Sequence, residues 1–428
     1  MKSLPDLLDP LLDASAKGFP HGQAPLRRSQ IAAQGWNVLA GDLPLPLAVV
    51  KRDEVAHNIG WMRRYCEDAG VEIAPHGKTT MSPQLFRQQL DAGAWGLSVA
   101  TVTQLAVAVA AGAQRCVIAN QVFDDVDLAG IATLKAAHPG LRVVFLLDSL
   151  QQLALIEAWH VKQPSADAFE VLLEIGMPNG RTGVRDHATA VALAQAARAS
   201  GAVRLVGVEC YEGLGVSGDS AIDQPRTEAL MQRVNDIARH ADRESLFEGE
   251  EIIVSAGGSA VFDLVATGLR PALSRPVCSL LRSGCYITHD HGFYRRMLSA
   301  VATRLRCTDT LHAAIEVWAA VQSLPEPGLA ILGVGKRDIS HDLDLPVPIA
   351  FCPRGSMQPA AAPQGWRITG LNDQHAYLRW EGEPPQPLQV GDRVALGISH
   401  PCTTFDKWRW LPVVDAHYRV VDALVTCF

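Results

Sequence analysis

The sequence has no C-x-x-C pair, no excess of basic charge, no internal repeat, and no apolar run near the ~18–20 residues that cross a bilayer. Each absence removes a class of function. Nine cysteines scattered singly do not form a zinc ribbon or a disulfide framework, and they suit reduced thiols in the cytoplasm. The opening Met1-Lys2-Ser3-Leu4-Pro5-Asp6 carries no apolar core of a secretory signal, so no export and no membrane association are expected. Lys and Arg number 38 against 45 Asp and Glu, a net charge of −7, which is not the footprint of a nucleic-acid binder. A small-molecule partner fits better.

What is present suits a large folded chain. Apolar residues make up 48% and charged residues 19% of 428 positions, too many residues for one ordinary core. Residues 1–45 are rich in Pro and Gly, with weak periodicity, and read as a leading arm. From Leu47 onward, short apolar runs alternate with helical patterns. The runs are Leu47–Val50, Val71–Ala74, Gly96–Ala100, Arg115–Ala119, Arg142–Leu147, Glu170–Ile175, Leu205–Glu209 and Ile252–Val254. Helix punctuation falls between them: Asp53 as a cap, Ser82-Pro83 as a start with Gly93 as a stop, and Thr101 with Gln104 as a capping box.

Continuously apolar strands alternating with helices predict parallel pairing with both faces covered. About eight such units predict a (β/α)8 TIM-type barrel over residues 46–298, with chemistry at the carboxyl ends of its strands. After about Leu298 the pattern changes. Strand-like runs at Ala313–Val317, Leu329–Val334 and Arg393–Leu396 are separated by Pro325-Glu326-Pro327-Gly328 and Glu383-Pro384-Pro385. They predict a C-terminal β-rich domain over 299–428, joined by the arm 1–45.

The strand ends hold the candidate chemistry. Pro75-His76-Gly77-Lys78-Thr79 places a lysine where a strand hands over to a loop. There it can be a solvated charge, a phosphate ligand or an amine for a Schiff base. Later strand ends bring Arg181, then Tyr211 and Glu212, then Ser255-Ala256-Gly257-Gly258-Ser259. Paired glycines let backbone amides converge on an anion. A lysine and an anion nest at one barrel mouth are what pyridoxal phosphate needs, with Arg181 available to the pyridine nitrogen. Near the C-terminus, His400-Pro401-Cys402 offers imidazole and thiolate, a zinc-type pair whose side chains share a face if the segment is extended. His289-Asp290-His291 is a second metal-capable trio, or a polar hinge between domains.

These residues resemble, in order, the motifs of fold-type III pyridoxal phosphate enzymes, nearest the D-threonine aldolase and D-serine dehydratase group and more distantly alanine racemase. The matches are Pro75–Thr79, Glu174-Ile175 through Arg181-Thr182-Gly183-Val184, Cys210–Gly213, Ser255–Ser259, Leu281–Tyr286 and His400–Cys402, spanning roughly residues 45–405. The resemblance implies a barrel like the N-terminal domain of alanine racemase and a head-to-tail homodimer whose sites are completed by the neighbouring subunit. It implies that Lys78 carries the cofactor, with His76 beside it, Arg181 at the pyridine nitrogen and Tyr211 beside the ring. Ser255, Gly257, Gly258 and Tyr286 would hold the phosphate, and His400 and Cys402 a divalent metal. Ser283 departs from the group's Leu-Arg-Pro-Gly pattern. Cys402 matches the dehydratase branch, whereas the aldolase branch has aspartate, and thiolate favours Zn2+ over Mn2+.

The implied activity is a metal-assisted D-amino-acid dehydratase, or deaminase, converting a β-hydroxy substrate such as D-serine or D-threonine to a 2-oxo acid and ammonia. The alternatives are D-threonine aldolase, which would give glycine and an aldehyde, and a non-catalytic pyridoxal phosphate carrier.

Overall fold

The structure is a computed structural model that describes residues 4–382 and 387–428. The Glu383-Pro384-Pro385 break lies outside the described residues. Strand β1 (Leu47–Lys51) comes first, followed by helix α1 (Arg52–Ala69). Eight parallel strands then follow: β2 (Glu72–Ile73), β3 (Leu97–Val99), β4 (Arg115–Gln121), β5 (Arg142–Leu147), β6 (Phe169–Ile175), β7 (Val203–Cys210), β8 (Ile252–Ala256) and β9 (Val277–Leu281). They pair in the order β2-β9-β8-β7-β6-β5-β4-β3. The ring closes where Ser98 N donates to Pro75 O at 3.0 Å and His76 bridges Ser98 in parallel. A helix follows every strand, from Pro83–Asp91 after β2 to Phe293–Leu305 after β9. The fold is the expected TIM-type barrel, with Val277–Leu281, a strand not among the expected runs, standing as the eighth in place of Leu47–Val50.

The barrel is a packed core. Val117, Val144, Leu172, Val206 and Ile253 come from successive strands and form a buried inner cluster. The alternate positions Ile118, Phe145, Leu173 and Leu205 join the main core, which covers the outer face of the sheet.

The barrel does not begin where the apolar pattern does. The boundary expected at residue 46 is displaced, because β1 belongs to the other domain. It pairs antiparallel with β10 (Ile315–Glu326), Leu47 opposite Trp318, and parallel with β16 (Trp410–Val414). Leu47, Ala48, Val49 and Val50 are all buried. A strand covered on both faces reads alike whichever sheet receives it. Asp53 also shifts from its expected place: Lys51 holds the cap position, and Asp53 sits in the first turn of α1.

Apart from the parallel pairing of β1 with β16, the second domain is antiparallel. Its sheet runs β12 (Val347–Cys352), β15 (Arg393–Gly397), β10, β11 (Leu329–Leu332), β14 (Ala376–Arg379) and β13 (Arg367–Leu371), and β17 (Val420–Val425) pairs with β16. Trp318, Trp408 and Trp410 are fully buried here. The leading arm packs against this domain: Val420 N donates to Trp36 O at 2.8 Å, and Trp410 Nε1 donates to Lys17 O at 3.0 Å. The domains meet at the barrel mouth, where His291 N donates to Ile398 O at 2.8 Å and Cys427 N to Met81 O at 2.9 Å. Among the described residues, no helix is long and apolar enough to cross a membrane.

Candidate active site

Lys78 sits on a single 3-10 turn, Gly77–Thr79, just past the carboxyl end of β2. Gly77 is required there: a Cβ at this position would stand 2.7 Å from the Phe86 ring. Lys78 is exposed at the mouth, and its charge bears on His76 together with Arg282 and Arg181. Burial, reinforced by those three cations, pushes the His76 imidazole well below its ordinary range and keeps it neutral. Its buried Nδ1 has no protein partner.

Arg282 forms the floor. It follows β9, and its guanidinium donates to Glu209 Oε2, to Ser255 Oγ and, at 3.2 Å, to the Cys210 carbonyl. Ser255 Oγ in turn donates to Leu280 O at 2.8 Å, so Ser255 orients the arginine. Burial lifts the Glu209 carboxyl to about 7 although Arg282 opposes the rise. Glu209 Oε1 and Arg282 Nε remain buried without partners. Polar atoms buried in this way ask for a ligand or water. Glu174, at the end of β6, is raised by burial despite hydrogen bonds from Thr182 and Gln121.

The glycine pair behaves as an anion nest, but the chain fills it. Gly258 N donates to Glu212 Oε1 at 2.7 Å and Gly257 N to Oε2 at 3.1 Å. A second pair of amides converges nearby: Gly284 N at 3.2 Å and Cys285 N at 3.3 Å both point at Ser259 Oγ. Gly284 is fixed by crowding, since a Cβ there would lie 2.6 Å from His76 O and 2.7 Å from Thr79 Oγ1.

The remaining cofactor candidates divide. The Arg181 guanidinium lies 4.9 Å from the centre of the Tyr211 ring, a cation–π contact at the rim. Burial pushes the Tyr211 hydroxyl up to about 12. Tyr286 is buried, and its Oη accepts from Gln89 Nε2 at 3.0 Å, a bond to the helix after β2 and not to the glycine pair.

The C-terminal pair reaches the same mouth. The segment is not extended: Pro401 is in the right-handed helical region, and a short helix, Cys402–Phe405, begins at once. Strand alternation therefore does not place these side chains. The turn carries Cys402 Sγ to 3.5 Å from Thr79 Oγ1 and 3.7 Å from Cys285 Sγ. His400 Nδ1 lies 2.5 Å from Asp342 Oδ2, and Thr403 Oγ1 donates to Asp342 Oδ1 at 2.7 Å. Burial would raise Asp342, but these two bonds outweigh it and hold the carboxyl below its ordinary range. An imidazole anchored through Nδ1 keeps Nε2 free for a metal. The hydrogen bond from Cys285 lowers the Cys402 thiol against its burial, while Cys285 is pushed well up.

His289 and His291 do not join this pair. Both are pushed down to about 4 by burial, and His289 Nδ1 meets the Asp290 carbonyl at 3.1 Å. A separate cluster, His57, Asp309 and His312, has potential ligand atoms within 4.8 Å of one another. Its imidazoles stack at 3.9 Å, and their nitrogens already meet Thr310 O and Glu54.

Sequence reasoning missed Asp342, named Glu212 without giving it a role, and left Arg282 and Cys285 as parts of a motif without a role. The motif around Arg282 was the available signal. Nothing local marks Asp342, whose partner is 58 residues away.

Comparison with known proteins follows the same lines. Residues 314–414 match the family described as "Putative serine dehydratase domain". The chain is 27% identical to a D-threonine aldolase of Arthrobacter sp over 359 residues, 83% of this chain and 85% of the relative. It is 26% identical to the D-threo-3-hydroxyaspartate dehydratase of Delftia sp. (strain HT23) over 377 residues, 85% of this chain and 92% of the relative. The crystal structure of D-threonine aldolase from Filomicrobium marinum superposes with a TM-score of 0.77 at 22% identity, covering 92% of this chain and 97% of that one.

Proposed function

Starting from a chain related over most of its length to fold-type III pyridoxal phosphate lyases, we propose that this protein is a D-amino-acid dehydratase that releases a 2-oxo acid and ammonia from a β-hydroxy D-amino acid. One observation carries the reading: Cys402 Sγ stands 3.5 Å from Thr79 Oγ1, so the metal-capable pair faces the residue next to Lys78. A metal held by His400 and Cys402 would supply a Lewis acid at the mouth that Lys78 shares.

The residues fit both groups. Buried unpartnered atoms of His76, Glu209 and Arg282 line the mouth as a polar ligand requires. Lys78 is the amine for the cofactor aldehyde. We assign the phosphate to Ser259 with the Gly284 and Cys285 amides, because Glu212 holds the Gly257 and Gly258 amides. We assign the ring nitrogen to Arg282 in place of Arg181, because Arg282 is buried at the floor while Arg181 stacks on Tyr211 at the rim. Pyridoxal phosphate supplies the electron sink that makes the α-proton of an amino acid removable. A zinc ion on His400 and Cys402 supplies the Lewis acid that a hydroxide leaving group needs.

The chain's own residues do the rest. Lys78, exposed to the mouth, takes the α-proton once its amine is free. His76, held neutral, withholds a charge from beside it. Asp342 fixes the tautomer and direction of His400. Tyr211, stacked under Arg181, presents its ring at the rim beside the cofactor. The subunits act as a homodimer with shared sites, which sedimentation checks.

Aldol cleavage is the second reading, favoured by the likeness to the Filomicrobium aldolase. Cys402 turns the balance, since a thiolate ligand suits a zinc Lewis acid. Product analysis from D-threonine separates the two.

A further inference from the structure

We propose that His57, Asp309 and His312 form a second divalent-metal site, which takes a zinc-like ion on nitrogen and oxygen ligands and staples the chain where it crosses between the domains. The site shares no residue with the barrel mouth.

The three side chains come from two elements. His57 lies on α1, and Asp309 and His312 lie on the segment 306–314 that leads from the last barrel helix to β10. One ligand atom from each stands within 4.8 Å of the other two. His57 Nε2 is 3.3 Å from Asp309 Oδ1. Two ligands bound at about 2.0–2.1 Å to one tetrahedral zinc stand about 3.3 Å from each other. The imidazole rings of His57 and His312 are stacked with centres 3.9 Å apart, and both are partly open to solvent. Turning the rings out of the stack lets both converge on an ion beside Asp309.

The backbone is held in place before an ion arrives. Asn58 Nδ2 donates to His312 O at 2.7 Å, and His312 N donates to Asn58 Oδ1 at 2.7 Å. Trp61 Nε1 donates to Asp309 O at 2.9 Å. These bonds dock both ligands of the segment against α1 beside His57, so an ion has little backbone left to order.

The outer partners also suit a metal. Glu54 Oε2 lies 2.6 Å from His312 Nδ1, a carboxylate that orients the ring and leaves Nε2 free. Arg64 Nη2 pairs with Asp309 Oδ2 at 3.8 Å, leaving Oδ1 to the ion. His57 Nε2 lies 2.9 Å from Thr310 O. A carbonyl only accepts, so this nitrogen carries the proton in the ion-free protein, and an ion bound there moves it to Nδ1. Imidazole with carboxylate suits zinc, cobalt or nickel, whereas magnesium and calcium prefer oxygen alone.

The test is zinc binding by the cofactor-loaded protein, measured by dialysis and chelator competition. In wild type, replacing both His57 and His312 by alanine should remove one zinc per chain and leave turnover unchanged. The same pair of substitutions in a His400→Ala/Cys402→Ala background should remove the zinc that remains there. Glu54→Gln should weaken that zinc ~10–100-fold. Zinc should raise the melting temperature of the His400→Ala/Cys402→Ala protein and not that of the variant lacking all four residues. Cofactor absorbance shows that each variant folds, and Asp309→Asn, expected to weaken the zinc as well, serves if the double alanine variant does not fold. A His400→Ala/Cys402→Ala protein that holds no zinc, or whose zinc survives the loss of His57 and His312, overturns the inference. Either result leaves the proposed function to its own product analysis.

Discussion

Asp342 Oδ2 lies 2.5 Å from His400 Nδ1, joining two residues of the second domain that are 58 positions apart. The carboxylate occupies Nδ1 and leaves Nε2 as the free imidazole nitrogen, so the proposed metal site would depend on a residue that contributes no ligand. Asp342→Asn should weaken zinc binding ~10–100-fold with little change in thermal stability, read by chelator competition and melting. Unchanged affinity would mean that His400 is not a ligand through Nε2.

Gly284 sits where two loops touch. A Cβ there would be 2.6 Å from the His76 carbonyl and 2.7 Å from Thr79 Oγ1, and backbone on one side cannot yield. Gly284→Ala should destabilise the fold by about 1–3 kcal/mol and displace the Lys78 turn. Cofactor titration should then show weaker uptake than in wild type. Normal uptake would show that the lysine turn does not lean on this glycine.

Glu209 gives a pH signature. Burial raises its folded carboxyl to about 7 from 4.5, so the folded protein keeps a proton that the unfolded chain releases across that interval. Stability from this group is therefore present at low pH and lost as pH rises through about 4.5 to 7. In the cofactor-free protein, Glu209→Gln should gain on wild type in melting temperature as pH is raised from about 5 to about 8. Parallel curves would place the Glu209 carboxyl back in the ordinary range.

Lys78→Ala should abolish the visible absorbance of a lysine-bound cofactor and reduce turnover by ~10²–10⁴-fold or more, since an amine that both holds the cofactor and moves a proton is lost. A variant that kept the absorbance would move the attachment to another amine.

Much of this architecture was legible in the chain. The barrel strands announce themselves because their buried runs have no polar alternate, and the lysine, glycine and arginine motifs fall at their ends. The first run misled: Leu47–Val50 has the same buried composition as a barrel strand but pairs with Trp318 and its neighbours. The His-x-Cys geometry misled for a local reason, because Pro401 takes a helical conformation and turns the segment. Glu212 was unreadable as the nest's occupant, since a carboxylate beside a tyrosine does not declare which amides it will meet. Cys285 looked like an interchangeable position inside its motif until the second domain brought Cys402 to it.

The central claim is the fate of the β-hydroxyl. The most direct measurement is product identification from D-threonine by the purified, cofactor-loaded protein, with zinc and after chelation. The account predicts 2-oxobutanoate and ammonia, lost on chelation and restored by zinc, with the cofactor absorbance unchanged throughout. Glycine and acetaldehyde as the products, or full 2-oxobutanoate formation without metal, would contradict it.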